Sequence, residues 1–113
     1  MKIYPTLNDV INDLDQLNWS GTLFVNSKSW DSSPHDAKFI YLDGDDELDD
    51  IVDDETMLPR LAQENDAERF LGVQTFRDVL ITQRELNPKS NLDEFINALN
   101  YYLEYDAFFT GKT

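Results

Sequence analysis

The chain holds no cysteine, one histidine, and only four glycines and four prolines in 113 residues. Without cysteine there are no disulfides, no thiolate nucleophiles and no Cys-ligated metals. The glycines, at 21, 44, 72 and 111, never cluster, so no Gly-rich loop is available to cradle a phosphate. No run approaches the roughly 18 apolar residues that a spanning helix needs. The opening Met1-Lys2-Ile3-Tyr4-Pro5 lacks a signal-peptide core. Together these features predict a cytoplasmic protein. Basic residues are scarce as well: 9 Lys and Arg stand against 23 Asp and Glu, a net charge of −14. Direct nucleic-acid binding is therefore not expected, because phosphates are held by Lys and Arg. Docking on an anionic membrane is opposed by the same sign of charge. What remains is 41% hydrophobic and 12% aromatic, enough for one core. A single domain of residues 1–113 is the natural size.

Helical spacing is clear at three places. Thr6 can cap a helix over about residues 7–17, with Leu7, Val10, Ile11 and Leu14 on one face and Asp9 three residues past the cap. Thr75 can cap a second, with Asp78 three residues on and Phe76, Val79, Leu80 and Gln83 on one face, ended by Asn87-Pro88. Ser90, with Asp93 in the capping-box position, opens a third over about 91–105, whose stripe is Leu92, Phe95, Ile96, Leu99 and Leu103. Phe108-Phe109 can fold back on the core. Thr22 to Asn26 and Lys38 to Asp43 read as two antiparallel strands. Residues 27–37 between them read as a loop anchored by Trp30. The expected class is α+β: a small antiparallel sheet packed against three or more helices.

The segment from Asp43 to Glu55 is the compositional outlier. Asp43, Asp45, Asp46, Glu47, Asp49, Asp50, Asp53, Asp54 and Glu55 put nine acids in thirteen residues, and no base occurs between Lys38 and Arg60. Leu48, Ile51 and Val52 interrupt them at helical spacing. Repulsion at i, i+4 opposes a helix there, so helix and ordered loop both stay open.

Catalytic groups are sparse. His35, the one imidazole, lies in a polar loop between Pro34 and Asp36 with no nucleophile elbow anywhere. Paired carboxylates need one buried and one solvated member, which a run of surface acids does not suggest. An EF-hand register starting at Asp43 puts Asp45 and Glu47 at the third and fifth positions. It then puts Leu48 where glycine is required and Asp54 where a bidentate Glu is usual. A calcium-responsive module is thus a poor match, and no cofactor or metal is expected.

An acidic run has a bland reading, a solvated face that aids solubility. Its rival is a surface shaped for a cationic partner. Concentrated like charge destabilises the compact state more than solubility requires, and it steers an oppositely charged macromolecule. Carboxylates can stand in for phosphates against Arg and Lys. Such a surface needs anchors, and Tyr41, Tyr101, Tyr102, Tyr105 and Trp30 are candidates; core packing is the competing role for each.

Tyr4-Pro5-Thr6-Leu7 through Val10, then Trp19 and Leu23-Phe24-Val25, give the chain a family likeness. So do Phe76-Arg77-Asp78-Val79-Leu80, Ala98-Leu99-Asn100-Tyr101-Tyr102 and Asp106-Ala107-Phe108. In these residues it resembles small bacterial immunity proteins of polymorphic toxin systems, notably those of contact-dependent growth inhibition. The likeness covers most of the chain and carries no catalytic motif. It implies a non-enzymatic antitoxin that binds and neutralises a cognate toxin C-terminal domain in the cytoplasm, many such toxins being nucleases. The contact surface is a separate inference from the residues: the nine acids of Asp43–Glu55 with Tyr41, Tyr101, Tyr102 and Tyr105. The alternative with the same charge is a DNA mimic that inhibits a DNA-binding protein.

Overall fold

Thr6 starts its helix as its position predicts. The Thr6 hydroxyl accepts from the Asp9 N–H at 3.3 Å and donates to the Asp9 carboxylate at 2.7 Å. In the computed structural model, which describes residues 1–51, 55 and 57–109, the chain runs through four strands and six α-helices among those residues. They are β1 (Lys2–Tyr4), α1 (Leu7–Asp13), β2 (Thr22–Val25), α2 (Ser27–Ser32), β3 (Phe39–Leu42), α3 (Asp45–Leu48), α4 (Arg60–Glu64), β4 (Glu68–Gly72), α5 (Val73–Leu86) and α6 (Leu92–Tyr105). A single 3₁₀ turn, Leu14–Gln16, extends α1. The strands form one antiparallel sheet in the order β1-β3-β2-β4. The fold is α+β.

Met1–Val73 and the residues from Gln74 onward are two compact units. In the first, β2 and β3 are the centre of the sheet. Phe24 faces Ile40 and Thr22 faces Leu42 across the pair. Side chains alternate between faces, so Phe24, Ile40 and Leu42 share one side. There they form a cluster with Ala62 of α4 and Ala67, and Leu48 of α3, Leu58 and Leu61 pack against it. Phe39 is on the opposite side, where Trp30 of α2 meets it edge-on at 5.9 Å and meets Phe70 at 4.9 Å. Phe24, Phe39, Ile40 and Leu42 are fully buried. Each stabilises the fold by roughly 1.5–3 kcal/mol relative to exposure.

In the second unit, Asn91 caps α6. Its side chain accepts from the Glu94 N–H at 2.9 Å, and the Glu94 carboxylate accepts from the Asn91 N–H at 3.2 Å. This reciprocal pair is a capping box. Phe95, Ile96, Ala98 and Leu99 form the buried stripe. Asp106 ends the helix in the left-handed conformation, φ 53°.

Several elements differ from the sequence reading. The cap of α6 is Asn91 rather than Ser90. Ser90 instead donates to the Asn87 carbonyl at 2.6 Å and accepts from Gln83 at 3.0 Å. α5 begins at Val73, two residues before Thr75. The loop over 27–37 contains α2, capped by Asn26 and carrying one buried residue, Trp30. α4, β1 and β4 also appear where no element was expected. Leu103 is exposed rather than part of the stripe. Phe108 and Phe109 lie against Tyr102 and Tyr101.

Candidate functional site

The acidic run is divided by what each carboxylate meets. Gly44, at φ 84°, turns the chain out of β3 and into α3, a conformation that costs a residue with a side chain more than glycine. α3 is one turn, Asp45–Leu48, and it presses Leu48 toward the Phe24 cluster. Both open readings are thus realised in part among the described residues: one turn of helix, then a bend at Asp49 and an isolated bridge at Ile51. Ile51 bridges to Pro59 and the Arg60 N–H donates to the Asp50 carbonyl at 2.7 Å. The segment is therefore zipped to the start of α4.

Three acids hold the segment in place. Asp43 accepts from the Asn18 side-chain amide and from the Ser20 hydroxyl, the latter at 3.0 Å. These hydrogen bonds, Asn18 first, hold the Asp43 carboxyl below its ordinary range. Glu47 accepts from the Asp43 N–H at 3.0 Å and pairs with the Met1 ammonium at 2.5 Å. Partial burial pushes its carboxyl up, but the ammonium and the Asp43 N–H outweigh it, and the net shift is downward. Asp50 accepts from the Arg60 guanidinium at 3.0 Å.

Three others are displayed. Asp45, Asp46 and Asp49 are exposed, and their carboxylates make no hydrogen bond or ion pair among the described residues. Glu55 is exposed as well. Asp53, Asp54 and Val52 lie outside the described residues. Seventeen of the 23 acids and five of the nine bases fall within residues 1–73, a net of −12, so the field belongs overwhelmingly to the first unit.

Tyr41 is corrected out of the expected surface. It is 7% exposed in β3, and its hydroxyl accepts from the Asn18 N–H at 3.0 Å. Burial raises its pKa first of all, with the Asp43 charge adding to it. Trp30 is corrected likewise; it is 5% exposed and closes the aromatic side of the core. Both roles follow from β-sheet alternation and a short capped helix, which the local pattern did not reveal.

The residue missed on the sequence is Trp19. It is 57% exposed, and its neighbours Asn18 and Ser20 are the two that grip Asp43. A large exposed ring thereby stands between the two residues that hold the start of the acidic segment. The signal was present in Asn18-Trp19-Ser20-Gly21, a tryptophan at a turn where no helix or strand period demands one.

Tyr101, Tyr102 and Tyr105 are brought together on the last two turns of α6, in the second unit. The Tyr101 and Tyr105 rings lie 4.6 Å apart and tilted by 48°, Phe109 meets Tyr101 edge-on at 5.3 Å, and Phe108 lies 5.4 Å from Tyr102. Tyr105 is 59% exposed. His35 is exposed in a turn. No group of three or more His, Asp or Glu among the described residues is placed to hold a metal ion. No helix among them is long and apolar enough to cross a membrane.

None of the curated proteins and none of the solved structures matches the chain. Residues 3–110 match a family model described as a domain of unknown function, DUF7716, and the chain belongs to that family.

Proposed function

We propose that this protein is a non-enzymatic immunity protein. It binds the C-terminal domain of a cognate toxin, a basic nuclease, in the cytoplasm and covers that domain's active site or substrate groove. The observation that carries the reading is the division of labour along Asp43–Asp50. Asp43, Glu47 and Asp50 are spent on local partners, while Asp45, Asp46 and Asp49 face solvent on a segment pinned at both ends. A merely solvating tail needs no such pinning. A fixed array of carboxylates pre-organises charge for Arg and Lys, and it reduces the ordering cost on binding. Trp19 beside it supplies the kind of large ring that anchors protein interfaces. The long-range field of a unit with net −12 accelerates encounter with a cationic domain.

The test is protection. The toxin domain encoded beside this chain is expressed in a bacterium with and without it. Growth and intact cellular nucleic acid are expected only with the chain present, together with a stable complex on size exclusion. Full toxicity in its presence, with no complex, would defeat the proposal.

A further inference from the structure

Burial of α6 stops before the helix does. Phe95, Ile96, Ala98 and Leu99 are its buried residues, yet the helix runs on to Tyr105. A helix end with no place in a core is ordinarily polar, because apolar surface gains nothing by facing water. The sequence beyond Leu99 is instead Asn100-Tyr101-Tyr102-Leu103-Glu104-Tyr105. Leu103, Tyr105 and Phe108 are exposed, and Tyr101, Tyr102 and Phe109 are half-buried. Apolar residues exposed singly are ordinary, whereas a group of them at one end of a helix marks a contact surface.

The rings are propped in place by the chain itself. Asp106 adopts the left-handed conformation, and its N–H donates to the Tyr102 carbonyl at 2.8 Å, which closes the helix and turns the chain back. A short polar side chain tolerates that conformation. The reversal lays Phe109 edge-on to Tyr101 at 5.3 Å and Phe108 at 5.4 Å from Tyr102, with the Tyr105 ring 4.6 Å from that of Tyr101. Tyrosines offer large contact area on two side-chain torsions, and rings already held by neighbours lose little freedom on binding.

Charge says what covers them. α6 has no base in its last turn, so no residue of the helix offsets the negative end of its dipole. Glu104 and Asp106 add to that charge, and Glu104 lies one turn from Tyr101 on the same face. No Lys or Arg occurs between Lys89 and Lys112. Nucleic acid and anionic lipid are repelled. A second copy is opposed as well, since a two-fold contact sets the same negative helix ends against each other. A protein surface that mixes Arg or Lys with apolar groups meets both features. Its cations face the helix end and the tyrosine rings, and its apolar groups cover Leu103 and Phe108.

We propose that the end of α6, made of Leu103, Tyr105 and Phe108 with Glu104 and Asp106, is a docking surface for an apolar patch studded with Arg or Lys on a cationic protein. The inference rests on the reading of the partner as basic. It gives the second unit a contact of its own, apolar at the centre and anionic at the rim, beside the carboxylates displayed by the first.

The experiment uses the full chain alone. Sedimentation velocity is expected to show a monomer; a dimer that is lost in the double variant Tyr105→Ala, Phe108→Ala would overturn the assignment by making a second copy the occupant. A short peptide alternating arginine with leucine is then titrated and followed by NMR. Saturable shifts are expected in the amides of residues 101–109 and in the Tyr105 ring. A peptide alternating arginine with glycine is expected to bind this end about fivefold more weakly, because it lacks the apolar groups. Tyr105→Ala and Phe108→Ala are each expected to weaken the leucine peptide by about fivefold. Glu104→Gln combined with Asp106→Asn is expected to weaken it about threefold at low salt and little at high salt. All four side chains are exposed, Asn accepts the left-handed conformation of residue 106, and unmoved Phe95 and Leu99 signals establish that α6 still folds. Equal binding of the two peptides at this end, binding indifferent to Glu104 and Asp106, or shifts confined to Asp45, Asp46 and Asp49 would overturn the proposal. The probe requires no toxin, so failure here leaves neutralisation through the first unit standing, and failure to protect a cell leaves the peptide result standing.

Discussion

Converting Asp45, Asp46, Asp49 and Asp50 together to Asn changes the net charge from −14 to −10 without changing side-chain shape. The expected loss of affinity follows from Coulomb's law. Two unit charges about 7 Å apart in water attract by about 0.6 kcal/mol, and Asp50 is already matched by Arg60, so the three displayed carboxylates contribute about 1.8 kcal/mol before screening. At about 10 mM salt the Debye length is about 30 Å, and most of this survives, about 1.4 kcal/mol or tenfold in affinity. At 0.15 M the length is about 8 Å, and about 0.75 kcal/mol remains, a three- to fourfold effect. The loss is carried mainly by the association rate, because long-range attraction guides encounter. Folding is expected to change little. The Asp50–Arg60 pair is about half exposed at both ends, and such pairs contribute under about 1 kcal/mol. The dipole benefit of Asp45 and Asp46 in the first turn of α3 is offset by the repulsion between them. Stopped-flow mixing with the toxin domain at the two salt concentrations measures the effect, with thermal unfolding as the control. Equal association rates for wild type and variant at low salt would refute the steering role of this segment.

Three further outcomes are specific. Asn91→Ala removes one half of the capping box and is expected to lower stability by about 1 kcal/mol in urea unfolding, with Glu94→Gln losing less because it keeps an acceptor. Gly21→Ala is expected to destabilise more: its Cβ would overlap the buried Tyr41 ring and stand 3.1 Å from the Leu42 carbonyl, and neither can withdraw. Asp43→Asn tests the proton linkage. Asp43 has a lowered pKa in the folded chain, so its contribution is fully present above the ordinary value of 3.8 and is lost as pH falls through the lower folded value. The stability gap between wild type and D43N, measured by denaturation from pH 7 to pH 2, is therefore expected to close below pH 3.8; a gap that widens with acid would show that the carboxylate is not favoured by Asn18 and Ser20.

The sequence and the structure agree where apolar periodicity is strong and diverge where polar residues do structural work. Leu7, Val10 and Leu14, and later Phe95, Ile96 and Leu99, recur at helical spacing, and all are buried on the expected helices. Thr22–Val25 and Phe39–Leu42 pair as expected because β-rich runs that short have few other ways to bury both faces. By contrast, α2 carries only Trp30 as a core residue in six positions, too few for a period to be read. β4 opens with Glu68 and Arg69, and a bulge opposite Leu23 and Phe24 breaks its alternation. Its Glu68 accepts from the Ser27 N–H and hydroxyl, a contact across 41 residues that no local pattern announces. The acidic site was legible as composition, since nine acids in thirteen residues stand out on any background. Which of them are held and which are displayed was not legible, because Asn18, Ser20, Met1 and Arg60 reach them from distant positions. Tyr41 shows the same limit from the other side: an aromatic beside acids looks like an anchor until β-sheet pairing places it opposite Leu23.

The most direct test of the central claim is the structure of the protein bound to the toxin domain. The account predicts an interface containing Asp45, Asp46 and Asp49, with partner Arg or Lys nitrogens within hydrogen-bonding reach and Trp19 covered. A contact area made of neutral apolar groups, with those three carboxylates still facing water, would contradict it.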